Sequence, residues 1–234
     1  VTTEIWGLIP LKALHFAKQR LAESLAPEER AALFMAMVRD VLAALRASPR
    51  INHVVIVTAD REAYGALAAG DVELLDERTG GLSQAVEDAA RYAAAHGAAG
   101  IVMVPGDLPV VRSEDIDLMA TAIENSPSVA IAPDADEDGT NCIAVSPPEL
   151  MRYHFGRGSF HRHCDEANTR GAAPAVKRLP RLALDVDTVE DLAWLMERLD
   201  EAPPGSRTRE IVLSRDMASR LGRPHNTWSL GGKG

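Results

Sequence analysis

Short, continuous apolar runs alternate along this chain with segments whose apolar residues recur at helical spacing, and few folds accept that alternation. Ile5-Trp6-Gly7-Leu8-Ile9, Val54-Val55-Ile56-Val57, Val72-Glu73-Leu74-Leu75 and Ile101-Val102-Met103-Val104 read as strands. Runs with so few polar positions suit strands covered on both faces, as in a parallel sheet. Between the first two, Ala26-Pro27-Glu28-Glu29-Arg30 opens a helix with proline and acids in its first turn. Leu33, Met37, Val41, Leu42 and Leu45 then share one helical face. Asp60 begins a shorter helix, and Val86, Ala89, Ala90 and Ala93 mark another. The pattern predicts an α/β protein, with a mostly parallel sheet flanked by helices.

The strand-end chemistry follows from that architecture. Pro105-Gly106 breaks the run at 101–104, and Asp107 stands just past it. In open α/β sheets ligands bind at the carboxyl ends of the strands, so Asp107 is placed either to hold a metal ion or simply to form the turn. The first strand ends at Pro10, and the loop after it carries Lys12, Lys18 and Arg20. Cations after the first strand suit phosphate binding, although a solvated basic turn has the same composition. The loop lacks the glycines of a Walker A or dinucleotide fingerprint. Net charge is −9, which argues against nucleic-acid binding through bulk charge while leaving room for a local basic pocket.

Further along, Gly80-Gly81 before a helix leaves amides open to a ligand, or serves as an ordinary flexible entry. Ser113-Glu114-Asp115-Ile116 reads as a capped helix start. Asp134, Asp136 and Asp138 alternate like a calcium loop, but the glycine and glutamate positions of an EF-hand fail, Val145 standing where the glutamate belongs. A turn at Gly139 that aims Thr140 and Asn141 inward is the better reading, with Cys142-Ile143-Ala144-Val145 a strand after it. Phe155-Gly156-Arg157-Gly158-Ser159 opens a helix whose amides and hydroxyl form an anion site. His161 and His163 lie two apart, do not share a helical face, and read as surface or pocket-rim residues; Cys164 reads as packing. Leu182-Ala183-Leu184-Asp185-Val186-Asp187 is expected to be a strand with Asp185 and Asp187 on one face, and Thr188 caps the next helix.

Residues 1–202 form the expected domain, with 203–234 a partly ordered tail laid against it or a partner, removable without loss of the fold. Two cysteines make neither a disulfide framework nor a zinc site. No run approaches a membrane span, and Val1-Thr2-Thr3-Glu4 shows no signal peptide, so a cytoplasmic protein with no membrane partner is expected.

In their order, Ile9-Pro10-Leu11-Lys12 with Ala17-Lys18-Gln19-Arg20-Leu21, Gly106-Asp107-Leu108-Pro109, Asp138-Gly139-Thr140-Asn141, Phe155-Gly156-Arg157-Gly158-Ser159-Phe160 and Leu184-Asp185-Val186-Asp187-Thr188 resemble a known family. It is the 2-phospholactate guanylyltransferase family of deazaflavin coenzyme F-420 biosynthesis (CofC/FbiD-like), whose members use 2-phospholactate, phosphoenolpyruvate or 3-phosphoglycerate. The resemblance runs from Ile9 to about Leu199. It implies a Rossmann-like nucleotidyltransferase fold of the nucleotide-diphospho-sugar transferase type. It also implies transfer of GMP from GTP to a small phosphorylated carboxylic acid, with magnesium as cofactor and pyrophosphate as product.

Carried over by position, Lys12, Lys18 and Arg20 would face the GTP phosphates, with Gly81, Leu82, Ser83 and Gly106 also on the nucleotide. Asp107 and Asp187 would hold magnesium, Asp185 being the alternative second ligand, and Asp107, Asp187 and Lys18 would be catalytic. Thr140, Cys142, Gly156 and Ser159 would hold the acid. Ser83 stands where the family commonly has Asn, and Cys142 where it has a small apolar residue. A homodimer is left open. Arginine far outnumbers lysine and alanine is abundant, which points to a GC-rich bacterial coding sequence. Metabolic supply then ranks 3-phospho-D-glycerate first, phosphoenolpyruvate second and 2-phospho-L-lactate third. Two other readings stand beside this one: a nucleotidyltransferase of the same fold using CTP or a sugar phosphate, and a non-catalytic nucleotide-sensing module.

Overall fold

The strands β1 (Ile5–Leu11), β2 (Ile51–Thr58), β3 (Val72–Asp76), β4 (Gly100–Met103), β5 (Ser128–Pro133), β6 (Thr140–Ser146) and β7 (Ala175–Val176) pair in the order β3-β2-β1-β4-β6-β5-β7. They belong to a computed structural model that describes residues 4–78, 81–214 and 217. β1 to β4 are parallel neighbours, β6 runs antiparallel to β4 and β5, and β7 is parallel to β5. The helices are α1 (Pro27–Ala47), α2 (Arg61–Tyr64), α3 (Leu82–Ala95), α4 (Ser113–Thr121), α5 (Ser159–Thr169), α6 (Val189–Glu197) and α7 (Arg207–Ser214). No helix among the described residues is long and apolar enough to cross a membrane.

Strand alternation splits the core into two layers. Ile9, Ile56 and Val102 face one side, against Leu33, Met37 and Val41 of α1. Leu8, Val55 and Ile101 face the other, against Val86 and Ala89 of α3 and Phe160 of α5. Each such aliphatic side chain, fully buried, contributes about 1.5–3 kcal/mol. Alanines on the buried face of α3 let that helix lie close on the sheet. The chain leaves β1 toward β2 on one side and β4 toward β5 on the other, so β1 and β4 form the switch point where a crevice opens at the strand ends.

Two sequence expectations change in detail and a third holds. The segment 182–188 pairs with no strand; instead the Val186 N–H donates to the Asp107 carbonyl at 3.3 Å, which lays it beside the turn after β4. Alternating apolar residues mark extended chain but do not supply a partner edge. At α4 the cap is not Ser113, which is already helical: the Asp115 carboxylate accepts the Arg112 N–H at 3.0 Å. The Thr188 cap of α6 is observed, the Asp191 N–H reaching Thr188 Oγ1 at 3.2 Å and the Thr188 N–H reaching Asp191 Oδ2 at 2.8 Å.

Packing continues past residue 202. α7 lies along α1, and Val212 and Met217 are fully buried in the α1 layer. Its first turn is capped from a distance: buried Asp40 of α1 accepts Ser206 Oγ at 2.7 Å and the N–H groups of Arg207 and Thr208 at 2.7 and 2.9 Å. The rest of the expected tail, from 218 on, lies outside the described residues, as does Gly80.

Candidate active site

The crevice between β1 and β4 is built from the loops that follow them. Gly106 lets them meet: a Cβ there would lie 2.6 Å from Leu11 Cδ2 and 2.9 Å from Val38 Cγ2. Asp107 therefore emerges directly beside the end of β1. The β1 loop passes through two short 3-10 turns, and between them Lys18 takes the left-handed conformation, φ 53°. Non-glycine residues adopt it at a cost, and they concentrate at functional sites. The turn drives Lys18 inward, so that its Nζ donates to Asp107 Oδ2 at 2.7 Å and to Asp187 Oδ1 at 2.8 Å.

The three groups set one another's ionisation. Burial alone would pull the Lys18 pKa down, but the Asp107 and Asp187 charges and hydrogen bonds outweigh it and hold it above its ordinary value. Burial likewise pushes Asp187 up, and the charge and hydrogen bond of Lys18, with Arg20 and Lys12 further off, bring it below the ordinary range. Asp185 differs. Burial and the Asp107 charge raise it to about 6 against the pull of its hydrogen bond from Asn141, so a proton is held more readily there than on Asp187.

These residues open onto a cleft of about 550 Å³. Lys12, Lys18, Arg20 and Gly106 line it with Asp107 and Asp187. Gly81 and Leu82 reach it from the start of α3. Phe16 and Glu77, which the sequence pattern did not single out, line it as well. Phe16, 63% exposed, signals a ligand face only once its loop is seen to border a cleft. Cations and carboxylates thus share one wall system, an arrangement suited to a polyanion together with a cation. Two carboxylates that converge on one point fit magnesium, which keeps several waters and takes one or two protein carboxylates plus phosphate oxygens. No cluster of three or more His, Cys, Asp or Glu side chains arranged as a metal cage occurs among the described residues.

A second group of candidates gathers next to this cleft. The β5–β6 register slips so that Ala132 faces Cys142 while Pro133 faces Thr140, leaving Asn141 as the extra residue of a bulge. The bulge aims neighbours apart. Asn141 Nδ2 donates to Asp185 Oδ1 at 3.0 Å, while Thr140 Oγ1 lies 2.9 Å from His163 Nδ1. Both side chains point inward, as the turn at Gly139 implied. Asp134 shapes that turn by accepting the N–H groups of Asp138 and Gly139, at 3.0 and 2.8 Å, which explains the acidic loop without calcium.

The glycine loop packs against the same corner. Gly156 has φ +103°, a conformation open to glycine, and Ser159 begins α5. The N–H groups of Gly158, Ser159 and Phe160 are already bonded, to Asp138 Oδ2, the Gly156 carbonyl and the Asp138 carbonyl. The amide grip expected at this helix start is therefore mostly spent inside the protein. The Ser159 hydroxyl makes no hydrogen bond among the described residues.

Three residues sit elsewhere than expected. Cys142 is fully buried in the α1 layer with Ala130, Ala132 and Ala144, where burial raises its thiol pKa; it offers no thiol to the cleft. His163 is not on the surface: it is fully buried, because Tyr153 and Phe155 close over it. Ser83 does not line the cleft but accepts the Phe155 N–H, and so connects α3 to the glycine loop. Cys164, half-buried, packs against the α3 layer.

Comparison with known proteins adds an independent line. The family described as guanylyl transferase CofC like matches residues 5–209. A phosphoenolpyruvate guanylyltransferase of Roseiflexus castenholzii is 36% identical over 210 residues, covering 90% of this chain and 96% of that one. A 3-phospho-D-glycerate guanylyltransferase of Colwellia psychrerythraea is 30% identical over 188 residues, covering 80% and 89%. Among solved structures, a protein from Desulfovibrio desulfuricans described as a nucleotide-diphospho-sugar transferase superposes with a TM-score of 0.76 at 19% identity, covering 94% and 97%. A nucleotidyl transferase from Methanothermobacter thermautotrophicus gives 0.59 at 17%, covering 86% and 98%. Both structural likenesses speak to the fold.

Proposed function

This chain belongs to the CofC-like guanylyl transferase family, and from that premise we propose how its own residues transfer GMP from GTP to a phosphorylated carboxylic acid. The observation that carries the reading is the Lys18 ammonium bridging Asp107 and Asp187 on the wall of a cleft that also bears Lys12 and Arg20.

The reaction sets two anions against each other. A phosphate monoester oxygen must reach the α-phosphorus of GTP in line, and at neutral pH that oxygen is already largely ionised, its second pKa being about 6. No base is needed to make the nucleophile; charge neutralisation and positioning supply the catalysis. Lys12, Lys18 and Arg20 hold the triphosphate, and Gly81, Leu82 and Gly106 shape the nucleotide end. Thr140, Ser159 and the Gly156 backbone hold the acid. Asp107 and Asp187 would hold magnesium, with Asp185, already bonded to Asn141, behind them. When bound, magnesium supplies positive charge against the phosphate oxygens. Lys18 can exchange a carboxylate for a phosphate and so keep an anionic partner. Cys142 contributes packing behind the acid site and no ligand atom from its side chain. The product feeds deazaflavin coenzyme synthesis.

Among the acids, phosphoenolpyruvate is placed first and 3-phospho-D-glycerate second. This reverses the order drawn from metabolic supply, because a relative named phosphoenolpyruvate guanylyltransferase shares 36% identity and one named 3-phospho-D-glycerate guanylyltransferase 30%. The test is incubation with magnesium, each of the four nucleoside triphosphates and equal concentrations of the three acids, read by pyrophosphate release and product mass. A guanylylated acid is the expected product. Turnover with CTP or a sugar phosphate instead, or tight GTP binding with no product, overturns the reading.

A further inference from the structure

Behind the acid site lies a residue with no place in the scheme above. His163 sits one helical turn after Ser159 on α5, and both are buried. Phe155 meets its ring edge-on, with centroids 4.8 Å apart and planes at 70°, and Tyr153 does so at 6.3 Å and 71°. The ring is therefore fixed in orientation, and each of its nitrogens has one partner. Nε2 is 2.8 Å from the backbone N of His154, and Nδ1 is 2.9 Å from Thr140 Oγ1.

Only one proton arrangement satisfies both contacts. A backbone N–H always donates, so Nε2 must accept and carry no proton. A neutral imidazole has one proton, which is then on Nδ1 and donates to Thr140 Oγ1. Burial, with His154 and Arg162 nearby, pushes the His163 pKa down to about 4, so a second ring proton does not enter at neutral pH. Thr140 Oγ1 makes no other hydrogen bond among the described residues, and its own proton is left over.

We propose that His163 is a positioning residue for the acid substrate: the His154 backbone locks it as the Nδ1–H tautomer, and it turns Thr140 into a hydrogen-bond donor aimed at an anion. Were Nδ1 unprotonated, Thr140 would spend its proton on the ring and present only lone pairs, which repel a carboxylate or phosphate. The proposal rests on the reading of Thr140 as an acid ligand. It explains why a histidine with no direct route to the cleft is buried here at the expense of a titratable group.

Two measurements test it. In protein with 15N-labelled histidine, long-range 1H–15N spectra at pH 7 should show His163 as the neutral Nδ1–H tautomer; an Nε2–H tautomer or a charged ring overturns the proposal whatever the variants do. In kinetics with GTP and phosphoenolpyruvate, Thr140→Val should raise KM for the acid about tenfold and KM for GTP less than twofold, since a hydrogen bond to a charged group is worth roughly that factor or more. His163→Leu should do the same, and the double variant should be no worse than Thr140→Val alone. His163→Asn, which keeps a donor near Thr140, should recover most of the acid affinity, and it serves as the folded comparison if His163→Leu proves unstable. An unchanged acid KM in Thr140→Val overturns the acid-site reading and the proposal with it. A normal acid KM in His163→Leu beside a raised one in Thr140→Val, or strict additivity of the two, overturns the proposal alone.

Discussion

The Ser83 hydroxyl accepts the backbone N–H of Phe155 at 2.9 Å. The first turn of α3, at the nucleotide cleft, is thereby pinned to the glycine loop at the acid corner. With Glu87 of α3, which accepts the Tyr153 N–H at 3.3 Å, this hydroxyl holds the two proposed substrate regions in relation. Ser83→Ala should weaken that tie by about 0.5–1.5 kcal/mol, which is roughly two- to tenfold in kcat/KM for the acid. The check is steady-state kinetics with each substrate varied at saturating partner. A change confined to KM for GTP would mean that Ser83 serves the nucleotide directly.

Asp107→Asn should lower kcat by ~10²–10³-fold while leaving the thermal midpoint within a few degrees, because it removes a carboxylate proposed to hold the magnesium that would offset the phosphate charge. Lys18 keeps Asp187 as a partner, so the cleft does not hold an isolated buried ammonium. Near-normal turnover at saturating magnesium would remove Asp107 from the metal site.

His163 makes stability depend on pH. Between about pH 6.5 and pH 4 the unfolded chain takes a proton on this histidine while the folded chain, its pKa lowered to about 4, does not. The unfolded state binds more protons there, so stability falls as pH drops through that window and is fully present above it. The size is on the order of 3 kcal/mol. Denaturant midpoints at pH 7 and pH 5 should therefore converge more closely in His163→Asn than in the unaltered protein. Equal slopes in the two proteins would show that the ring is accessible to solvent protons when folded.

Asp40 is the tertiary cap of α7. Asp40→Ala leaves three donors without their acceptor, two of them on the buried residues Ser206 and Thr208. It should cost about 1–3 kcal/mol of stability with little change in kcat, since Asp40 does not line the cleft. Removing residues 203–234 should cost more, because Val212 and Met217 leave the α1 layer as well. This replaces the expectation from periodicity that the stretch is dispensable. Urea unfolding of both proteins checks it; a truncated protein as stable as the full chain would show that α7 only rests on the surface.

The sequence by itself determined the α/β alternation, the break at Pro105-Gly106 and the position of Asp107 after it. These depend on neighbouring residues, whose side-chain period follows from strand and helix geometry. The Thr188 cap and the inward turn at Gly139 were legible for the same reason. Tertiary structure alone decided which distant groups meet. Lys18 finds Asp107 and Asp187 across 89 and 169 residues, and Asp40 finds Ser206 across 166. Spacing to His161 made His163 look like a rim residue, whereas Tyr153 and Phe155 bury it. Alternation made 182–187 look like a strand, but a strand exists only where another edge offers hydrogen bonds. Local periodicity reports backbone geometry; the partner of a polar group is chosen by what the fold brings within about 3 Å of it.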